Sequence, residues 1–403
     1  MSPPAFGLVR VRVQDFRSAR DVTLAPHAVC ALVGEASSGK SNLLAALRLL
    51  LDPGGAPELR PEDRWRGDGP VRIAGRLADG SEVAFPPAAA GEETDASLPA
   101  VLFLPAGLRS EAVVESFAPA SGAKASAEAH FASALADRDG SAAAPALAFV
   151  TGLERCCESG LSGIVLLVEE PELFLRPQAQ RYLHRLLHTF AEAGNQVVFS
   201  THSPAFLSVA HLEELVLVGH DPGTGTQVVQ PEPLLADEEF RIVSEFDAER
   251  SELFLARAAL LVEGRTEKLV FPLVFQALGF DADREAISII ECGGKSNLPL
   301  FVRICDAVGV PCVAVHDRDA EAGEEPIHAE QLLNALIAET AGPERTVVLE
   351  PDFEGATGVQ GHKPQGALRR FAEVGREAVP EPLARAARLV LAAAGLDPDR
   401  PGT

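Results

Sequence analysis

GEASSGKS, residues 34–41, restricts the fold more than any other segment, because such a loop works in only one backbone setting. It fits G-x-x-x-x-G-K-[ST], follows the apolar run AVCALVG (28–34), and precedes SNLLAALRLLL, which Asp52, Pro53, Gly54 and Gly55 bring to an end. A strand, a glycine-rich turn and a helix N-terminus in that order present successive backbone N–H groups to phosphate. Gly34 and Gly39 frame the turn, Lys40 reaches the β/γ oxygens, and Ser41 offers its hydroxyl to Mg²⁺.

Two further features follow in order. IVLLVEEPELFLRP ends a buried strand (164–169) with Glu169, able to hold the Mg²⁺ shell, and Glu170, able to orient or deprotonate an attacking water. VVFSTHSP ends the next strand (196–200) before His202, where an imidazole can sense the γ-phosphate. A lone histidine after a strand is usually only structural; after a P-loop and EEPE it reads as part of an ATP site. The trio resembles the ABC-type ATPase heads of the RecF and SMC kind, over roughly residues 1–235. Two departures are visible. No glutamine lies between Ser41 and Gln178, and DGSAAAPAL (139–147), with Ser141, stands where the LSGGQ signature is expected. In such heads the signature of one subunit completes the ATP site of the other, so the resemblance implies a homodimer.

Beyond an acidic link at 236–257, ALLVEG (259–264), ISIIEC (287–292), VPCVAVHD (310–317) and RTVVLE (345–350) alternate with helical segments. That alternation predicts a small, mainly parallel sheet covered on both faces, with two helices in the tail 363–396. Glu263 closes the first strand and Glu267 lies one helical turn later; Asp317 and Asp319 close the third. Singly these patterns are ordinary, since E-x-x-x-E is common on solvated helix faces and D-x-D in loops. At the ends of neighbouring strands, four carboxylates repel one another without cations and suit Mg²⁺ or Mn²⁺.

With the glycine turn ECGGKSN (Gly293, Gly294), these segments resemble a Toprim domain at 258–403. An ABC-type head joined to a Toprim domain resembles the OLD (overcoming lysogenisation defect) nucleases. LLVEGRTE, ECGGKSNLP and VHDRDA match one half and LLVEEPELFLRPQAQ the other. The resemblance implies an ATP-hydrolysing DNA endonuclease with a two-metal site, acting in phage defence or DNA repair. By the same resemblance Glu263, Glu267, Asp317 and Asp319 are metal ligands, and Lys363 in GHKPQGALRRF assists the transition state. Asp352 and Glu354 either add a ligand or cap a turn. Lys268 and Lys295 are expected on DNA phosphate or without a role.

Charge sets the main objection. The net charge of −23 opposes a broad basic face for nucleic acid, leaving local groups such as Arg10, Arg12, Arg17 and Arg20, or Arg369 and Arg370, to contact phosphate. Two other readings stay open: a RecF-like DNA-binding ATPase whose Toprim part is structural, and one subunit of an anti-phage complex with a helicase or other partner. Residues 87–147, rich in Ala, Pro, Ser and Gly, read as a shortened insertion, part loop and part helix. None of the six cysteines shows C-x-x-C spacing, so a zinc site or redox motif is not expected. The start lacks a signal-peptide layout and no apolar run nears the roughly 20 residues that cross a bilayer, so a cytoplasmic protein is expected.

Overall fold

The computed structural model describes residues 2–54, 56–67, 69–87, 98–106, 122–136, 144–208, 211–232, 245–320, 324–360 and 364–399. The chain divides into two compact units at Pro233/Leu234.

The first unit is built on a sheet of β1 (Leu8–Phe16), β2 (Ala19–Leu24), β3 (Val29–Val33), β4 (Arg72–Leu77), β5 (Glu82–Phe85), β6 (Ala100–Leu104), β7 (Ile164–Glu169), β8 (Gln196–Thr201), β9 (Leu215–Asp221) and β10 (Gly225–Val229). Their order is β5-β4-β1-β2-β10-β9-β3-β8-β7-β6. From β9 to β6 the pairs are parallel, and the others are antiparallel. The sequence explains the contrast. VCALV in β3 and QVVFST in β8 are buried at every position, as strands covered on both faces must be. In β1 the alternation of Leu8, Val11 and Val13 with Arg10 and Arg12 turns one face to the core and one to water. Helix Lys40–Leu51 buries Leu43, Leu44, Leu47 and Leu50 against this sheet. One strand departs from the sequence expectation. β6 lies inside the segment read as loop and helix, and adds a parallel edge beside β7.

The second unit is a four-stranded sheet of β11 (Ala258–Val262), β12 (Ile287–Glu291), β13 (Cys312–Asp317) and β14 (Thr346–Leu349), ordered β12-β11-β13-β14 and parallel throughout. Helices Arg265–Leu278 and Glu381–Ala393 share one apolar cluster with it. Phe271 and Phe275, both fully buried there, each stabilise the unit by about 2–3 kcal/mol. Because β11 and β13 are neighbours with Val262 opposite Val315, the residues that follow them emerge along one carboxyl edge, the usual place for a site in such sheets. Among the described residues no helix is long and apolar enough to cross a membrane.

Candidate functional sites

In the first unit the chain leaves β3 into the phosphate loop under close packing. A Cβ on Gly34 would stand 2.0 Å from the Val218 carbonyl oxygen, and one on Gly39 (φ +112°) would stand 2.2 Å from Thr226 Oγ1. The β9–β10 hairpin therefore supports the loop from behind, and only glycine fits. Thr226 Oγ1 lies 2.7 Å from Ser18 Oγ and 3.1 Å from the Ser38 carbonyl. Lys40 is 5% exposed. It curls back so that Nζ donates to the carbonyls of Gly34 (2.9 Å) and Glu35 (2.7 Å). Burial pushes its ammonium down to about 8, against the opposing pull of Glu170, Glu172 and Glu35. Ser41 and Glu169 line one cavity of about 200 Å³ beside Arg48 and Phe103. Glu169 also accepts a hydrogen bond from the Ala106 amide at 3.1 Å.

Glu170 follows β7 with φ +44°, its amide donating to the Ser200 carbonyl at 3.0 Å. That turn aims the carboxylate across the strand ends, where Oε1 sits 3.4 Å from His202 Nε2. Burial, and then Lys40, hold His202 below its ordinary value, with Glu170 opposing. A neutral imidazole thus stands beside a carboxylate near the loop lysine, so that one water can hydrogen-bond to both. Glu172, to which the sequence reading assigned nothing, fixes this arrangement. It is 6% exposed and accepts from Thr201 Oγ1 (2.6 Å) and the His202 amide (2.9 Å). Burial raises its carboxyl. The only sequence mark of this role is the fourth letter of EEPE.

In the second unit, Glu263 leaves β11 and its Oε2 accepts from the Asp317 amide at 3.4 Å. The Gly293–Gly294 turn, at φ +74° and +122°, folds over it, and the Gly294 amide donates to the Glu263 carbonyl at 2.9 Å. Burial holds the Glu263 carboxyl above its ordinary value, and the negative charges of Asp319 and Glu267 add to the rise. So the four carboxylates do gather at one edge. They do not form a tight cage: among the described residues, Glu263, Glu267, Asp317 and Asp319 supply no group of three with ligand atoms all within 4.8 Å. Like charges keep their distance, and Asp319 is drawn aside by Lys295, whose Nζ donates to Asp319 Oδ2 at 2.8 Å and Glu330 Oε2 at 2.9 Å. An all-oxygen set of mutually repelling carboxylates fits a hard divalent cation such as Mg²⁺ or Mn²⁺.

Several other expectations change. Lys295 is 5% exposed, so it is an internal partner of the acidic site, not a free phosphate contact. Burial alone would lower it, but Asp319 and Glu330 raise it. Lys268 pairs with Glu249. Asp352 caps the short helix Phe353–Thr357, accepting from the Gly355 amide at 2.7 Å. Arg12 and Arg17 are ion-paired with Asp21 (2.6 Å) and Asp63 (2.7 Å), which weakens the Arg10–Arg20 group as a phosphate surface. Lys363 and Ser141 lie outside the described residues.

Comparison with known proteins agrees with this layout. Residues 254–319 match the family described as "Overcoming lysogenization defect protein-like, TOPRIM domain", and residues 145–208 match "AAA domain, putative AbiEii toxin, Type IV TA system". An OLD nuclease of Thermus scotoductus is 36% identical over 228 residues, covering 52% of this chain and 43% of the relative. The Old nuclease of Escherichia phage P2 is 32% identical over 168 residues, covering 40% and 29%. The matched stretch thus spans less than half the length of either relative. Among solved structures, the SMC head domain from Thermotoga maritima aligns with 56% of this chain and 99% of its own at 14% identity, TM-score 0.38. The C-terminal region of the Xanthomonas campestris OLD protein aligns with 36% and 96% at 18% identity, TM-score 0.25. The two family matches and the two curated relatives together show an AAA-type ATPase segment followed by an OLD-like Toprim domain, a pairing in which the chain is similar to the OLD nucleases.

Proposed function

We propose that the protein binds and hydrolyses ATP in its first unit and cleaves DNA phosphodiesters in its second, with Mg²⁺ or Mn²⁺ as the divalent ion and a homodimer as the working form. A role in phage defence or DNA repair is part of the same reading. What supports the nuclease half most is the carboxyl edge of β11 and β13. There Glu263 and Asp317 are in contact, and Asp319 and Glu267 are near enough to disfavour ionisation of Glu263.

Divalent ions bound there would supply an activated water and offset the charge that develops on the phosphate. The chain's own groups prepare that chemistry. Glu263, Glu267, Asp317 and Asp319 would hold the ions. Lys295 holds the Asp319 and Glu330 carboxylates in place by its two ion pairs. In the head, Lys40 exchanges the carbonyls of Gly34 and Glu35 for phosphate oxygens, Ser41 and Glu169 share the cavity for Mg²⁺, and Glu170 takes a proton from water steadied by His202.

The test incubates supercoiled and linear DNA with Mg²⁺ or Mn²⁺, with and without ATP, using wild type, Asp317→Ala and Lys40→Ala. The expected result is nicking by wild type and at least about 100-fold less by Asp317→Ala, the scale for a catalytic metal ligand. Equal nicking by Asp317→Ala refutes the nuclease reading. That outcome, with ATP hydrolysis intact, leaves a DNA-binding ATPase.

A further inference from the structure

Helix Pro177–Glu192 carries His184 and His188 four residues apart, so both imidazoles project from one face. The turn Leu212–Glu214, just before β9, brings Glu214 against that face. His184 Nε2 lies 3.2 Å from Glu214 Oε2 and His188 Nε2 lies 3.0 Å from Glu214 Oε1. Each imidazole thus addresses its own oxygen of one carboxylate, and the ligand atoms of all three residues lie within 4.8 Å of one another. Among the described residues this is the only His/Cys/Asp/Glu group so tightly gathered.

We propose that His184, His188 and Glu214 form a Zn²⁺ site in the ATPase head, separate from the acidic edge of the second unit. Zinc held by nitrogen and oxygen at about 2.0–2.1 Å sets tetrahedral neighbours roughly 3.3 Å apart, close to the two measured contacts. The donor types agree as well, since two imidazoles and one carboxylate suit zinc and the neighbouring late transition metals, whereas Mg²⁺ takes oxygen.

A plain hydrogen-bonded triad accounts for the cluster less well. His184 and Glu214 are within hydrogen-bonding geometry. His188 Nε2 is also buried and only 3.0 Å from the carboxylate, off the direction of a well-aligned hydrogen bond, and Glu214 attracts its protonated form. A cation shared by the three gathered ligand atoms would satisfy this nitrogen as well. Access is available on the same side. His184 and Glu214 are 2% and 4% exposed, but the His188 side chain is 21% exposed, and its ring lies 6.0 Å from that of exposed His211. Water or His211 can take the fourth position.

The site would clamp two segments that serve the nucleotide. β9, entered directly from Glu214, pairs with β3 and carries the Val218 carbonyl packed against Gly34. The helix carries Gln180, whose Oε1 accepts from Ser203 Oγ next to His202.

The experiment uses the full chain stripped with a chelator and kept in excess Mg²⁺, titrated with Zn²⁺ against a chromophoric zinc indicator, and in parallel with Co²⁺. Expected are one submicromolar Zn²⁺ per chain, a melting temperature higher by about 5 °C, and a tetrahedral Co²⁺ spectrum without a thiolate charge-transfer band. His188→Gln and Glu214→Gln should bind about 100-fold more weakly with an unchanged circular dichroism spectrum, while Asp317→Ala binds like wild type. Should Glu214→Gln fail to fold, the partly exposed His188→Gln still decides. The proposal is overturned by no binding at micromolar Zn²⁺, by unaltered binding in His188→Gln, by loss in Asp317→Ala, or by a thiolate band, which would point instead to a cysteine.

Discussion

Lys40 links its buried setting to a testable pH dependence. Its ammonium is removed from water and satisfied by backbone carbonyls, and it titrates at about 8 instead of its ordinary 10.5. The empty head therefore loses this proton in a range that is easy to reach. A triphosphate beside Nζ favours the charged form, so nucleotide binding above pH 8 must be accompanied by proton uptake. For a group titrating at about 8, the protonated fraction falls from about 10/11 at pH 7 to about 1/11 at pH 9. Nucleotide affinity should then weaken about tenfold over that interval, or about 1.4 kcal/mol. Folding stability should move the other way. The native pKa lies below the unfolded one, so the native chain holds this proton less tightly, and Lys40 contributes rising stability as pH climbs from about 8 towards 10.5. His202 does not confuse the window, because it is held below its ordinary 6.5. Calorimetry of ATP binding in buffers of different ionisation enthalpy reads the proton directly: about one per nucleotide at pH 9 and about a tenth of one at pH 7. Lys40→Arg keeps a permanent charge and should remove the slope, whatever it does to the absolute affinity. A flat wild-type affinity between pH 7 and 9, or the same slope in Lys40→Arg, would refute the reasoning.

Two further outcomes follow from the same geometry. Gly34→Ala sets a methyl 2.0 Å from the Val218 carbonyl, and should cost on the order of 3 kcal/mol in a denaturant melt and abolish ATP binding; wild-type affinity would show that the β9 contact yields. Glu263 is a carboxyl raised by burial and by its acidic neighbours, so in metal-free protein its contribution to stability is full at low pH and is lost as pH rises from its ordinary 4.5 through the raised value. Mg²⁺ should relieve that loss in wild type. Glu263→Gln should show neither the loss nor the relief, and thermal melts across pH 4 to 7 check both.

What could be read from the sequence, and what could not, follows from where the information lies. Lys40, Glu169, Glu170, His202, Glu263 and Asp317 stand at strand or helix ends, and strands such as VCALV and CVAVHD announce those ends through apolar runs. The strand β6 was hidden because AVLFL is five residues long and sits between segments of loop composition. Partnerships were hidden for a different reason. Thr226 supports the phosphate loop from 188 residues away, and Lys295 reaches Glu330 across 35, so their roles depend on the folded topology and leave no local pattern. The histidine cluster combines both cases. H-x-x-x-H within YLHRLLHTF is legible, but Glu214, 30 residues from His184, looks like one more acid in HLEEL until the helix and β9 are brought together. The expectation of no zinc site rested on cysteine spacing, which speaks only to thiolate ligands. The imidazole site could be ruled neither in nor out until the fold supplied its third ligand, and this is why its test must separate nitrogen and oxygen coordination from sulfur.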